Sequence, residues 1–180
     1  MPNAFARGDG PAFRSRHGIP PGQPVALFVG RVAHEKNIGF LLDALVHTRR
    51  QCPDALLMVA GEGPASADLQ ARAGQLGLAG GVRFIGYLDR RDALPDCYAA
   101  ADVFAFASRT ETQGLVLLEA MAAGVPVVAL SEMGTTDILD GGRGSIVPPA
   151  CPQVFGETLA HILNHPSAWQ HLGDDAAQYA

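Results

Sequence analysis

Apolar residues in this chain gather in short unbroken runs, and the stretches between the runs carry helical spacing instead. The runs Val25–Val29, Leu56–Ala60, Val82–Ile85, Val103–Ala107, Val127–Leu130 and a short Ser145–Val147 predict strands. The first five are built mainly of Val, Ile, Leu, Phe and Ala. A strand with one wet face would alternate apolar and polar residues, so continuous runs point to a parallel sheet covered on both sides. Pro126 stands just ahead of the fifth run, where its missing N–H costs the ladder least.

Between the runs, Ile38–Arg50 has apolar residues at 38, 41, 42, 45 and 46, one face of a helix. Ser66–Leu76, Arg91–Ala101 and Leu115–Ala123 also read as helices, and Pro166 separates two more, Cys151–Asn164 and Ser167–Tyr179. This alternation predicts an α/β fold with a doubly wound parallel sheet of about six strands. Residues 1–24 are rich in Gly, Pro and Arg with little apolar periodicity, and read as a linker or lead-in to a domain over 25–180. With the strand order 3-2-1-4-5-6, a crevice opens at the carboxyl ends of the first and fourth strands. Gly30–Asn37 and Ser108–Gly114 then face each other across it.

Composition narrows the class. With 180 residues, 48% of them hydrophobic, the chain fits one domain with a sizeable core. A net charge of −5 argues against nucleic-acid binding. Cys52, Cys97 and Cys151 are far apart and odd in number, which suits a reducing, cytoplasmic setting and no zinc or redox pair. Met1–Arg16 has no apolar signal core, and the longest apolar stretch, Gly114–Leu130, contains Glu119 and Pro126. No transmembrane segment is expected.

Chemistry concentrates in the two crevice loops. Arg31 and Lys36 in GRVAHEKN suit a diphosphate, whose charge needs neutralising when no metal does it; they also fit two solvated bases before a helix. The helix starting near Leu115 offers backbone N–H groups and a positive dipole end, and Gly114 would let a ligand approach the backbone. Glu111 is either a ligand contact or an acid favoured by that dipole. Glu119, inside LVLLEAMAA, is a partly buried carboxylate that needs partners, from a ligand or from an internal ion pair.

Spacing limits the pair. Eight residues of helix span about 12 Å, whereas glycosidase carboxylates sit roughly 5–9.5 Å apart. Two carboxylates touching different parts of one elongated ligand is the better reading. Gly61, in AGEGPAS, marks a tight turn beside a nucleotide; with Ser66 at the third glycine position and no acid ending the next run, it does not make an NAD site. There is no Walker A motif and no nucleophile elbow. His161 and His165 lack the further ligands of a zinc site, and DRRD (89–92) is not a D-x-D, so binding is expected to be metal-independent.

Taken in order, FVGRVAHEKN, VAGEGP, VRFIGYL, YAAADVFAFAS and ETQGLVLLEAMAAGVPVVA resemble the carboxyl-terminal domain of family 4 (group 1) retaining glycosyltransferases. The resemblance covers most of the chain and implies one Rossmann-like half of a GT-B fold. It implies that Gly30, Arg31 and Lys36 meet the donor diphosphate. Thr112, Gln113, Gly114 and Leu115 would form the helix start at phosphate and sugar. Arg83 and Phe84 would lie against the base, Glu119 would bind the ribose, and Glu111 would orient the sugar with a possible catalytic role. Implied too are a UDP- or GDP-linked donor without further cofactor, an amino-terminal acceptor domain absent here, and attachment at the inner membrane through that domain. The resemblance also makes Pro2-Asn3 the end of an interdomain linker, and the isolated domain is expected to turn over little. In SEMGTTDILDGGRG, Met133 replaces an expected glycine and Asp137 an expected glutamate. Another sugar-nucleotide enzyme of this shape, such as an epimerase, stays open, as does a non-catalytic nucleotide-binding or interaction domain.

Overall fold

Six strands form where the apolar runs lie: β1 Val25–Val29, β2 Leu56–Ala60, β3 Val82–Gly86, β4 Val103–Phe106, β5 Val127–Ala129 and β6 Ser145–Ile146. The structure, a computed structural model, describes residues 4–131, 135–139 and 142–180, with the backbone alone at 137. The departures noted at 133 and in the side chain of 137 lie outside the described residues. Every residue of β1, β2, β4 and β5 is buried, as a sheet covered on both faces requires. The edge strand β3 is half-buried throughout, which leaves room for its Arg83.

The sheet order is β3-β2-β1-β4-β5-β6, with every pairing parallel. This is the expected doubly wound, Rossmann-like α/β arrangement. The order reverses direction between β1 and β4, so the crevice falls at their carboxyl ends. The rings of Phe28 on β1 and Phe106 on β4 stack at 6.0 Å between centroids beneath it.

Helices cover both faces: α2 Ile38–Gln51, α3 Ser66–Gln75, α4 Ala93–Ala99, α5 Leu115–Ala122, α6 Thr136–Leu139, α7 Pro152–Asn164 and α8 Gln170–Tyr179. The helix read over 91–101 begins at 93. Asp89 Oδ1 accepts the N–H groups of Arg91 and Asp92 at 2.8 and 3.2 Å, making a turn of those residues first. In α2 the predicted face is buried apart from the half-buried Val46, and the helix meets α7 closely. Thr48 Oγ1 donates to Gly156 O at 2.8 Å, and a Cβ on Gly156 would lie 2.1 Å from Ala44 O.

The lead-in differs from its sequence reading. Residues 4–7 form a 3-10 turn and Gly10–Arg16 an α-helix, α1, both packed on α4. Asp9 caps α1 by accepting the Ala12 N–H at 3.0 Å, and Pro11 occupies its first turn. Phe13 is fully buried. Arg14 donates to the carbonyls of Pro20, Pro21, Gln23 and Ala100 and pairs with Asp102 at 3.1 Å. Asp102 also accepts the Val25 N–H at 2.8 Å, tying the lead-in to the first residue of β1. The helix has too few residues for its single buried face to register as periodicity.

Candidate functional site

At the top of β1 the chain enters the first loop, which is laced to the loop after β2. The N–H of Gly30 donates to Ala60 O at 3.1 Å and that of Val32 to Glu62 O at 3.0 Å. A Cβ at residue 61 would sit 1.8 Å from Gly30 O, so only glycine fits there. The glycines of AGEGP therefore serve the approach of two loops. His34–Lys36 form a 3-10 turn, and Asn37 takes a left-handed conformation with φ of 57°. Its Nδ2 donates to Ala107 O at 3.1 Å, while Thr110 Oγ1 donates to Glu35 O at 3.4 Å. The two crevice loops are thus bonded to each other.

Across that seam, Lys36 Nζ lies 3.5 Å from Glu111 Oε2, with both side chains about four-fifths buried. The other oxygen of Glu111 accepts the N–H groups of Gln113 and Gly114 at 3.2 and 3.0 Å. Burial pushes the Glu111 carboxyl up. The two amides and Lys36 outweigh it and hold the group below its ordinary value, so it is ionised at neutral pH. Gly114 has φ of 65° and turns the chain into α5, placing Leu115 in solvent, more than half exposed. Thr112 and Gln113 are exposed beside it. Glu111 thus already occupies two of the amides that precede the helix.

Glu119, one turn into α5, is buried, with its side chain 8% exposed. Tyr98 on α4 donates its hydroxyl to Glu119 Oε2 at 2.9 Å, and Arg90 donates to Oε1. Burial, then the charge of Glu119, push the Tyr98 phenol up, so it stays a donor. Of the two open readings for Glu119, the internal ion pair is present. Neither Tyr98 nor Arg90 stood out in the sequence: Tyr98 was one residue of the helix read over 91–101, and Arg90 lay inside DRRD (89–92).

A pocket of about 300 Å³ opens beside these loops, lined by Gly30, Arg31, Gly61, Glu62, Tyr87 and Arg90 among others. Neither Glu111 nor Glu119 lines it. Arg83 and Phe84 do not line it either. Arg83 donates to the carbonyl of His17, and the strand-3 side of the pocket is supplied by Tyr87 and Leu88. Tyr87, 68% exposed, is a flat apolar surface that sequence reasoning missed. Among the described residues no group of three or more His, Cys, Asp or Glu is placed to hold a metal ion, and no helix is long and apolar enough to cross a membrane. His161 on α7 and His165, which caps its carboxyl end, are exposed, and His165 Nδ1 meets His161 O at 2.9 Å.

A doubly wound sheet with cationic and acidic side chains gathered at its switch point defines a nucleotide-site architecture. The family model described as glycosyl transferases group 1 matches residues 9–179, and the chain belongs to that family. It is 38% identical over 180 residues to a GDP-mannose-dependent alpha-(1-6)-phosphatidylinositol monomannoside mannosyltransferase of Mycolicibacterium smegmatis, covering 96% of this chain and 45% of the relative. Among solved structures it is similar to Anabaena HepE in complex with UDP, with a TM-score of 0.80 at 23% identity over 99% of this chain and 48% of that one. It also superposes on the carboxyl-terminal domain of a group 1 glycosyl transferase, LpcC of Francisella tularensis, with a TM-score of 0.83 at 21% identity over 99% of this chain and 96% of that one. The fold is accordingly one Rossmann-like half of a GT-B architecture. The chain spans under half the length of the curated relatives it matches.

Proposed function

We propose that this chain is the donor-binding half of a retaining glycosyltransferase that takes a UDP- or GDP-linked sugar and needs no further cofactor. Its partners are that donor and an amino-terminal acceptor domain, which would choose the acceptor and hold the enzyme peripherally at the inner, cytoplasmic membrane face. The observation that carries this is the bonded seam of Lys36 and Glu111 at the start of α5, with Arg31 at the rim of the adjoining pocket. Arg31 and Lys36 neutralise the diphosphate, and charge growing on the departing group strengthens those contacts in the transition state. Glu111, kept ionised by its amides, orients the transferred sugar beside Gly114 and Leu115 as its anomeric carbon becomes oxocarbenium-like. The acceptor then attacks on the face the nucleotide leaves, giving retention. Glu119 accepts hydrogen bonds from the ribose, and Tyr87 and Leu88, next along the chain from Arg83–Phe84, border the base.

Titration calorimetry of the 180-residue chain with UDP, GDP and ADP tests this. UDP or GDP is expected to bind more tightly than ADP, and Lys36→Ala and Arg31→Ala should each weaken that binding about tenfold, the worth of a lost charge-assisted contact. Absence of binding to all three at millimolar concentration would rule the proposal out. Glu119→Gln should weaken binding similarly. Unchanged affinity in that variant would favour the purely structural reading that its ion pair with Arg90 supports.

A further inference from the structure

Arg90 stands between the pocket and Glu119: its side chain lines the pocket and bonds to the carboxylate, whereas Glu119 does not line the pocket at all. The two oxygens of Glu119 are held very differently. Oε2 is fixed by the hydroxyl of Tyr98, which is wholly buried in α4. Oε1 is met by a guanidinium whose side chain is 60% exposed and which projects from the turn ahead of α4. An ion pair with one partner in water is weak and readily exchanged, whereas a buried phenol is not. An oxygen that is buried but loosely partnered is a good acceptor for a ligand hydroxyl that can replace the arginine.

We infer that Arg90 is an affinity-setting residue of the donor site, covering the oxygen of Glu119 that the ribose cis-diol of a nucleoside diphosphate takes. Tyr98 is the positioning residue that keeps the carboxylate aimed while Arg90 and the diol exchange. The inference rests on the ribose role of Glu119 given above. A site open for only a fraction of the time binds its ligand more weakly by that fraction. Removing Arg90 therefore tightens binding, and only for a ligand that has the diol.

The test is calorimetry with the tightest binder among UDP, GDP and ADP and with its 2′,3′-dideoxy counterpart. Arg90→Ala is expected to bind the natural nucleotide roughly fivefold more tightly, as if the open arrangement held about a fifth of the molecules, with dideoxy binding unchanged. A thermal melt of the same variant confirms that it is folded. Unchanged affinity for the natural nucleotide overturns the inference. So does weaker binding of both ligands, which would make Arg90 a phosphate contact. Glu119→Gln separates the underlying reading: if it leaves the ratio of natural to dideoxy affinity unaltered, Glu119 is not the ribose ligand, whatever Arg90 does.

Discussion

Asp96 on α4 accepts the Asp9 N–H at 2.7 Å and the Arg16 guanidinium at 2.9 Å. The Asp9 amide, then Arg16, outweigh burial and hold its carboxyl below the ordinary 3.8. A depressed folded-state pKa adds stability above the unfolded value and loses it as pH falls through the folded one. Asp96→Asn should therefore cost about 1 kcal/mol at neutral pH in urea melts, with the gap to wild type closing as the buffer is taken well below 3.8. A constant gap would mean the loss is steric. At this scale the sequence was legible where a residue's surroundings are local. Glu111 and Gly114 stand three residues apart and meet as their spacing allows. Tyr98 and Arg90 reach Glu119 from 21 and 29 residues away, and no periodicity encodes that meeting.

Among elements, α2 and α7 pack with their backbones close together. Alanine has a better helix propensity than glycine by about 1 kcal/mol, so an open position 156 would gain from Gly156→Ala. A Cβ 2.1 Å from the carbonyl of Ala44 forces the two backbones apart, and overpacking of that kind costs about 1–3 kcal/mol. The variant is expected to unfold at lower denaturant, showing that steric cost outweighs propensity. Thr48→Val, which keeps the volume and removes the hydroxyl bonded to Gly156 O, should lose about 1 kcal/mol in the same assay. Element order and strand positions were legible because buried parallel strands write themselves as unbroken apolar runs. Most ends moved by a residue or two, as where Asp89 bonds before α4, whereas α8 begins at Gln170 and not Ser167, and α6 lies where no helix was read. The helix α1 was not legible, since its stability comes from α4 and from Arg14, both supplied by tertiary contact.

For the whole molecule, two charged pairs lie at opposite ends of the sheet. Arg14 and Asp102 join the chain at the amino ends of β1 and β4, while Lys36 and Glu111 join the loops at their carboxyl ends. The two central strands are thus clamped at top and bottom, and neither end can open without breaking one charged contact. The lower clamp bears on where this domain begins. Phe13 buried, Phe5 edge-on to Tyr98 at 5.6 Å, and Arg14 bonded to four carbonyls make residues 4–16 part of the cooperative unit. Amide exchange should accordingly protect the backbone of α1 at nearly the level of α4, and limited proteolysis should leave residues 10–16 uncut until global unfolding. A polypeptide started at residue 25 would strip one ring from Tyr98, the residue bonded to Glu119, so trimming the lead-in would be felt as heterogeneity in the candidate site.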